Sequence, residues 1–329
     1  MRRLWFVSLI DATGLHWIAF SIVFAVLLAA FMFFLTGTYD PTNYTNSVEY
    51  LSTVGSNLFF AVVNAYALGS GYYVLKRAEH TVDILSHETQ LSAAQITEHR
   101  QYITGGTPIY LTVLMTMSLI GGSFHAWLLS PNPFENIAVL ATSIATVFTW
   151  VVITHVISAF VIMSRVFTEL GRHHLNVDLL NTHKLAPFGN IIVLPAVCLL
   201  GTQILYPLLS LGGIFNLTAT LPGFLLTLGS LLYLSIVPSR ALHTRMLAEK
   251  QKALILINEQ IENWQQNNKN ISDYANLQPL LQHRQFLEGL PTWPLNVTAL
   301  AKWLFYLTIP PITWALAALM ENYVDSFIS

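Results

Sequence analysis

Residues 15–36 read LHWIAFSIVFAVLLAAFMFFLT, a stretch without one charged side chain. A bilayer's hydrocarbon core is about 30 Å thick, and a helix crosses it in about 20 residues. Six further stretches reach that length, at about 54–75, 108–129, 136–163, 189–211, 217–238 and 302–324. The chain has 329 residues, 54% hydrophobic and 10% charged. Soluble domains carry roughly a quarter of their residues as charges, so the composition agrees with the spans. The expected fold is an all-α polytopic membrane bundle of seven spans forming one membrane domain over 1–329.

The basic residues are distributed one-sidedly. Of the 15 Lys and Arg, Arg2 and Arg3 precede span 1, and the others fall between spans 2 and 3, 4 and 5, or 6 and 7, with Lys302 at the start of span 7. Connectors 37–53, 130–135 and 212–216 contain none. Because Lys and Arg are retained on the cytoplasmic side, the reading is a multi-pass cell-membrane protein, N-terminus cytoplasmic and C-terminus outside. The apolar stretch after Arg3 runs on to Leu35 without a small-residue cleavage pattern and is read as retained. The net charge of −2, without a long basic run, argues against a nucleic-acid partner, and one cysteine, Cys198, excludes an intramolecular disulfide.

The long connector 239–301 reads as a cytoplasmic helical hairpin. Leu247, Leu254 and Ile261 repeat at seven, with Ile257 and Trp264 offset from them. A second helix near 276–288 closes at Gly289 before Pro291 and Pro294. The stripe either packs within the chain or joins subunits of a homo-oligomer, and the hairpin could also receive a cytoplasmic protein partner.

Polar and helix-breaking residues inside spans are the usual pointers to function, since lipid offers nothing to satisfy them. Span 7 carries Thr308, the adjacent Pro310 and Pro311, Thr313 and, further outward, Glu321. Span 5 adds Gln203 and span 2 adds Asn64, which shares a helix face with Asn57. These residues are the pore or cavity candidates. Thr142, Thr146 and Thr149 lie on one face of span 4, where packing is the commoner use. No Lys or Arg lies at mid-depth, and Glu321, near the outer end of span 7, is the one acidic candidate; the lack of a mid-membrane carboxylate argues against a proton- or cation-coupled transporter.

His16, His125 and His155 are the histidines that could serve as axial haem ligands, but His125 and His155 stand at different depths. No cofactor is expected. His80, Asp83 and His87 share a helix face at spacings of 3 and 4, the arrangement of a weak divalent-metal site. Nucleophile-elbow, P-loop, dinucleotide and zinc-protease motifs are absent. The expected function is therefore an oligomeric ion channel or pore with its path near span 7. A non-conducting sensor or scaffold and a metal-dependent membrane enzyme are the alternatives, enzymatic activity being the less favoured. The layout resembles that of insect chemoreceptor channels in topology, with none of their residue motifs. The resemblance implies an oligomeric channel and carries no site residue over.

Overall fold

The computed structural model describes residues 1–85, 91–174, 186–211, 217–267 and 274–293, together with 305, 308–309, 312–316 and 319. Its helices are α1 (Trp5–Thr13), α2 (Trp17–Thr36), α3 (Ser47–Leu85), α4 (Ala93–Ile103), α5 (Pro108–Leu129), α6 (Ile137–Glu169), α7 (Ala186–Gln203), α8 (Leu217–Asn267) and α9 (Tyr274–Gly289). Among the described residues six helical segments are long and apolar enough to cross a membrane, from Trp17–Thr36 to Thr220–Gln266. The expected seventh span lies largely outside the described residues, Pro310, Pro311 and Glu321 included.

The exposed surface fits lipid rather than water. Ile22, Val26, Leu27, Phe31 and Phe34 on α2 are 57 to 73% exposed, and so large an apolar face on one helix belongs in hydrocarbon. The chain is an integral membrane protein. At its centre stands α3, packed by α2, α6 and α7. Small residues make that packing close: a Cβ at Gly69 would overlap Ser21 Oγ on α2, and one at Gly122 on α5 would stand 2.9 Å from Val147 Cα on α6.

The helices alternate between two ends. One end carries Arg2, Arg3, Lys76, Arg100 and Arg240 and is called here the basic end; the other holds the α2–α3 and α5–α6 connections, which contain no Lys or Arg. Toward the basic end the core is dry: Leu68, Leu75, Val152, Val156 and Phe160 are each at most 2% exposed and belong to one cluster.

Three features of the basic end go beyond the sequence expectations. α1 (Trp5–Thr13), with its N-cap Leu4, is a short helix that closes the bundle, and Leu4, Phe6, Val7 and Ile10 are at most 1% exposed. Gly14 ends it in the left-handed conformation at φ 65°, which only glycine adopts without strain. Asp11 fixes α1 to α3, accepting from Tyr72 Oη at 2.7 Å and pairing with Arg3 at 2.8 Å and Lys76 at 3.8 Å. Arg2–Arg3 also pairs antiparallel with Gly105–Gly106, tying the chain start to the turn before α5.

α8 runs unbroken for 51 residues, roughly 76 Å at 1.5 Å per residue, well beyond one bilayer crossing. Its second half forms a hairpin with α9. Ile257 and Ile261 are buried against Leu277 and Leu287, with Leu254 and Trp264 packed around them. Lys250 Nζ donates to the carbonyls of Glu288 at 2.6 Å and Leu290 at 2.9 Å, closing the end of α9. Leu254, Ile257, Ile261 and Trp264 of the stripe thus face α9 of the same chain, while its first member Leu247, with Ile255 and Leu256, stays 37 to 60% exposed.

Candidate cavity in the bundle

Between the dry core and the end without basic residues the bundle encloses a cavity of about 250 Å³. α3 contributes Ser52, Ser56, Phe59 and Phe60, and α5 contributes His125 and Leu129. From α6 come Thr142, Thr146, Thr149 and Trp150, and Tyr206 and Gly223 close the side nearest α7 and α8. A second space of about 270 Å³ shares Ser52, Ser56, Leu129, Thr142 and Thr146 with it and reaches Tyr44, Glu49 and Asn136. The two spaces share one wall, giving a funnel-like outline whose mouth is lined by Tyr44, Glu49 and Asn136 at the end without basic residues.

The threonine row faces this space because spacings of 4 and 3 return to one side of a helix. Each hydroxyl proton is engaged along the helix: Thr142 with Ala138 O at 2.9 Å, Thr146 with Thr142 O at 2.9 Å and Thr149 with Ala145 O at 2.8 Å. Such back-bonding is the ordinary state of a threonine in a membrane helix, and it leaves the oxygen lone pairs as acceptors. Trp150 Nε1 donates to His125 Nδ1 at 2.8 Å, so Nδ1 is an acceptor and the proton of the neutral ring sits on Nε2.

Behind the lining, Asn64 is fully buried and donates through Nδ2 to Thr149 Oγ1 at 2.8 Å and to Phe60 O at 2.7 Å. Asn57 donates to Thr36 at 2.8 Å and Thr38 at 3.2 Å. Gln203 donates to Thr227 at 2.9 Å, and its backbone carbonyl accepts from Trp314 Nε1 at 2.9 Å. Among the described residues Asn57 Oδ1, Asn64 Oδ1 and Gln203 Oε1 have no hydrogen-bond partner. An unmet buried acceptor costs about 1–3 kcal/mol, so each of these three amides carries a local penalty.

The other sequence candidates divide between regions. Thr308 is exposed and donates to Phe305 O at 2.7 Å. Trp314, one residue beyond Thr313, packs on Tyr206 and Phe224, which sets this part of the expected seventh span beside the cavity wall. Asp83 pairs with Arg100 at 3.3 Å, and His87 lies outside the described residues. Among the described residues no group of three or more His, Cys, Asp or Glu is placed to hold a metal. His16 caps α2 by accepting from Ile18 N at 3.4 Å, and His155 Nδ1 lies 2.7 Å from Val151 O, so both rings are engaged locally. The cavity joins five segments; the sequence shows the threonine row on one face but favours packing for it and offers His125 only as a haem candidate, and the pairing of His125 with Trp150 across helices leaves no mark in either helix alone.

No known protein family, curated protein or solved structure matches the chain.

Proposed function

We propose that the protein is a cell-membrane sensor that admits a small molecule into the bundle from outside and reports it at the basic end. Its N-terminus and basic end would face the cytoplasm, as the distribution of Lys and Arg favours. The observation that supports this reading best is the funnel together with the buried apolar cluster on its basic-end side. A space of about 250 Å³ with aromatic walls and a few convergent polar groups is the ordinary form of a small-molecule site, and dry packing separates it from the basic end. The hairpin of α8 and α9 would carry the response, because α8 both borders the cavity through Gly223 and extends into the hairpin.

A second reading, an oligomeric channel, is favoured by one observation. A polar vestibule stopped by apolar side chains is also the form of a closed pore, with Leu68, Val152 and Phe160 as the barrier. Subunits would then meet near the last span, where Ile312, Leu316 and Leu319 are 53 to 65% exposed.

Purified protein in nanodiscs, screened by thermal unfolding against small molecules of matching volume and in parallel by planar-bilayer recording, separates the two. A sensor gains thermal stability from some compounds and passes no current. Current under any of those compounds or voltages supports the channel, and a flat response in both assays removes both readings.

A further inference from the structure

Resting on the reading of the cavity as a ligand site, we propose that its ligand is a small organic ammonium ion, an amine carrying an apolar or aromatic group. The first argument is the hydrogen-bond inventory. Thr142 and Thr146 present oxygen lone pairs because their protons are held by their own helix, and Trp150 Nε1–H is held by His125. The serine hydroxyls of Ser52 and Ser56 can turn either way. A ligand that donates finds the threonine oxygens as fixed acceptors here, whereas the donors an anion could meet are confined to His125 Nε2 and the serine and tyrosine hydroxyls.

The second argument is charge. The funnel's inner lining holds no Asp, Glu, Lys or Arg, and its mouth holds Glu49. The connectors at this end carry Asp40, Glu49 and Glu135 and no basic residue, so the approach is negative throughout. Such a field concentrates cations at the mouth and repels anions.

The third argument is the walls. Phe59, Phe60, Trp150 and Tyr206 line the same space as the threonine oxygens. Ring faces attract an ammonium and also take up an apolar body, which meets part of the cost of withdrawing the ion from water. An inorganic ion would leave those rings without a purpose, and a volume of about 250 Å³ is far larger than it needs.

The test is isothermal titration of three probes of one size and different charge, 2-phenylethylammonium, 2-phenylethanol and phenylacetate, into the full chain in zwitterionic nanodiscs, with empty discs subtracted. The expected result is binding of the ammonium, at least about tenfold weaker binding of the alcohol, as loss of a charge-assisted contact implies, and none of the acid. Thr146→Val weakens the ammonium by about tenfold and Thr146→Ser restores it. Glu49→Gln weakens it a few-fold and flattens its salt dependence. Alcohol bound as tightly as ammonium overturns the ammonium assignment and leaves the cavity a ligand site. Silence from all three also overturns the assignment; reagent access to the cavity then decides separately whether the cavity is open to solutes at all.

Discussion

Asn64 on α3 reaches across 85 residues of sequence to Thr149 on α6, its Nδ2 donating to Thr149 Oγ1 at 2.8 Å, with the Asn64 carbonyl left without a partner among the described residues. The contact joins the two helices that provide most of the cavity lining, at the level where polar space gives way to dry core. It is therefore a strut of the site and a point of unmet hydrogen bonding in one residue.

That asymmetry gives unequal expectations for its two partners. Thr149→Val leaves an amide proton of Asn64 unmatched and is expected to destabilise by about 1 kcal/mol, since interhelical hydrogen bonds in membranes average somewhat under that and an orphaned donor adds to it. Asn64→Leu removes donor and unmet acceptor together and should be close to neutral. Reversible unfolding of both variants and the double mutant, in mixed micelles, measures the coupling directly.

Gly223 lies where a Cβ would overlap the Tyr206 hydroxyl. Tyr206 in turn touches Phe59 and Trp314. Gly223→Ala is expected to push the tyrosine ring aside, lowering stability by about 1–3 kcal/mol, as overpacking does, and weakening any cavity ligand more than ten-fold. Gly229, with nothing near its Cβ position, is the control: Gly229→Ala should be neutral or slightly stabilising, read by the same thermal scans.

The hairpin separates packing from assembly. Ile257 is 5% exposed and faces α9, so Ile257→Ala should cost about 2 kcal/mol locally, seen as faster amide exchange over α9. Ile255 and Leu256 are 57 and 60% exposed. If subunits meet through α8, Leu256→Glu should shift the native mass toward monomer while leaving α9 exchange unchanged.

A pH effect is expected in the turn after α2. Asp40 Oδ1 accepts from Thr42 N at 3.0 Å and Thr42 Oγ1 at 2.7 Å, bonds that favour the carboxylate and hold its pKa below the usual value. A group with a depressed folded pKa stabilises at neutral pH and loses that contribution as pH falls through the ordinary carboxylate range and then the lower folded value. Exchange of the Thr42 amide should quicken as pH is lowered below about 4, after correction for intrinsic rates, and Asp40→Ala should show that faster exchange at neutral pH.

The six described spans were legible because about 20 apolar residues in a row have one cheap solution in lipid. Their ends were less so. The span read at 189–211 is α7 to Gln203 followed by a 3₁₀ turn at Tyr206–Ser210, because Pro207 cannot continue the helix. The segment before span 1 was invisible as a helix: α1 is nine residues, too short for a hydropathy signal, and its burial depends on α3 and α6. In the hairpin the stripe of Leu254, Ile257 and Ile261 could be read from spacing, whereas its partner, Leu277 and Leu287, could not. The cavity was half legible: a threonine row announces a face, but what that face meets is decided by helices distant in sequence.

In the proposed orientation the cavity is reached from the outer side and closed toward the cytoplasm. Cys198, the only cysteine, is buried at 4% exposure and supplies a silent background for thiol labelling. Ser56→Cys and Thr146→Cys place a thiol in the cavity, and Ser164→Cys places one beyond the dry layer on α6. A small, charged, membrane-impermeant methanethiosulfonate is applied to intact cells and then to inverted vesicles. The first two thiols are expected to react in intact cells and resist in inverted vesicles, with Ser164→Cys silent from outside. Reaction of the cavity thiols only from the vesicle side, or from neither side, would contradict it.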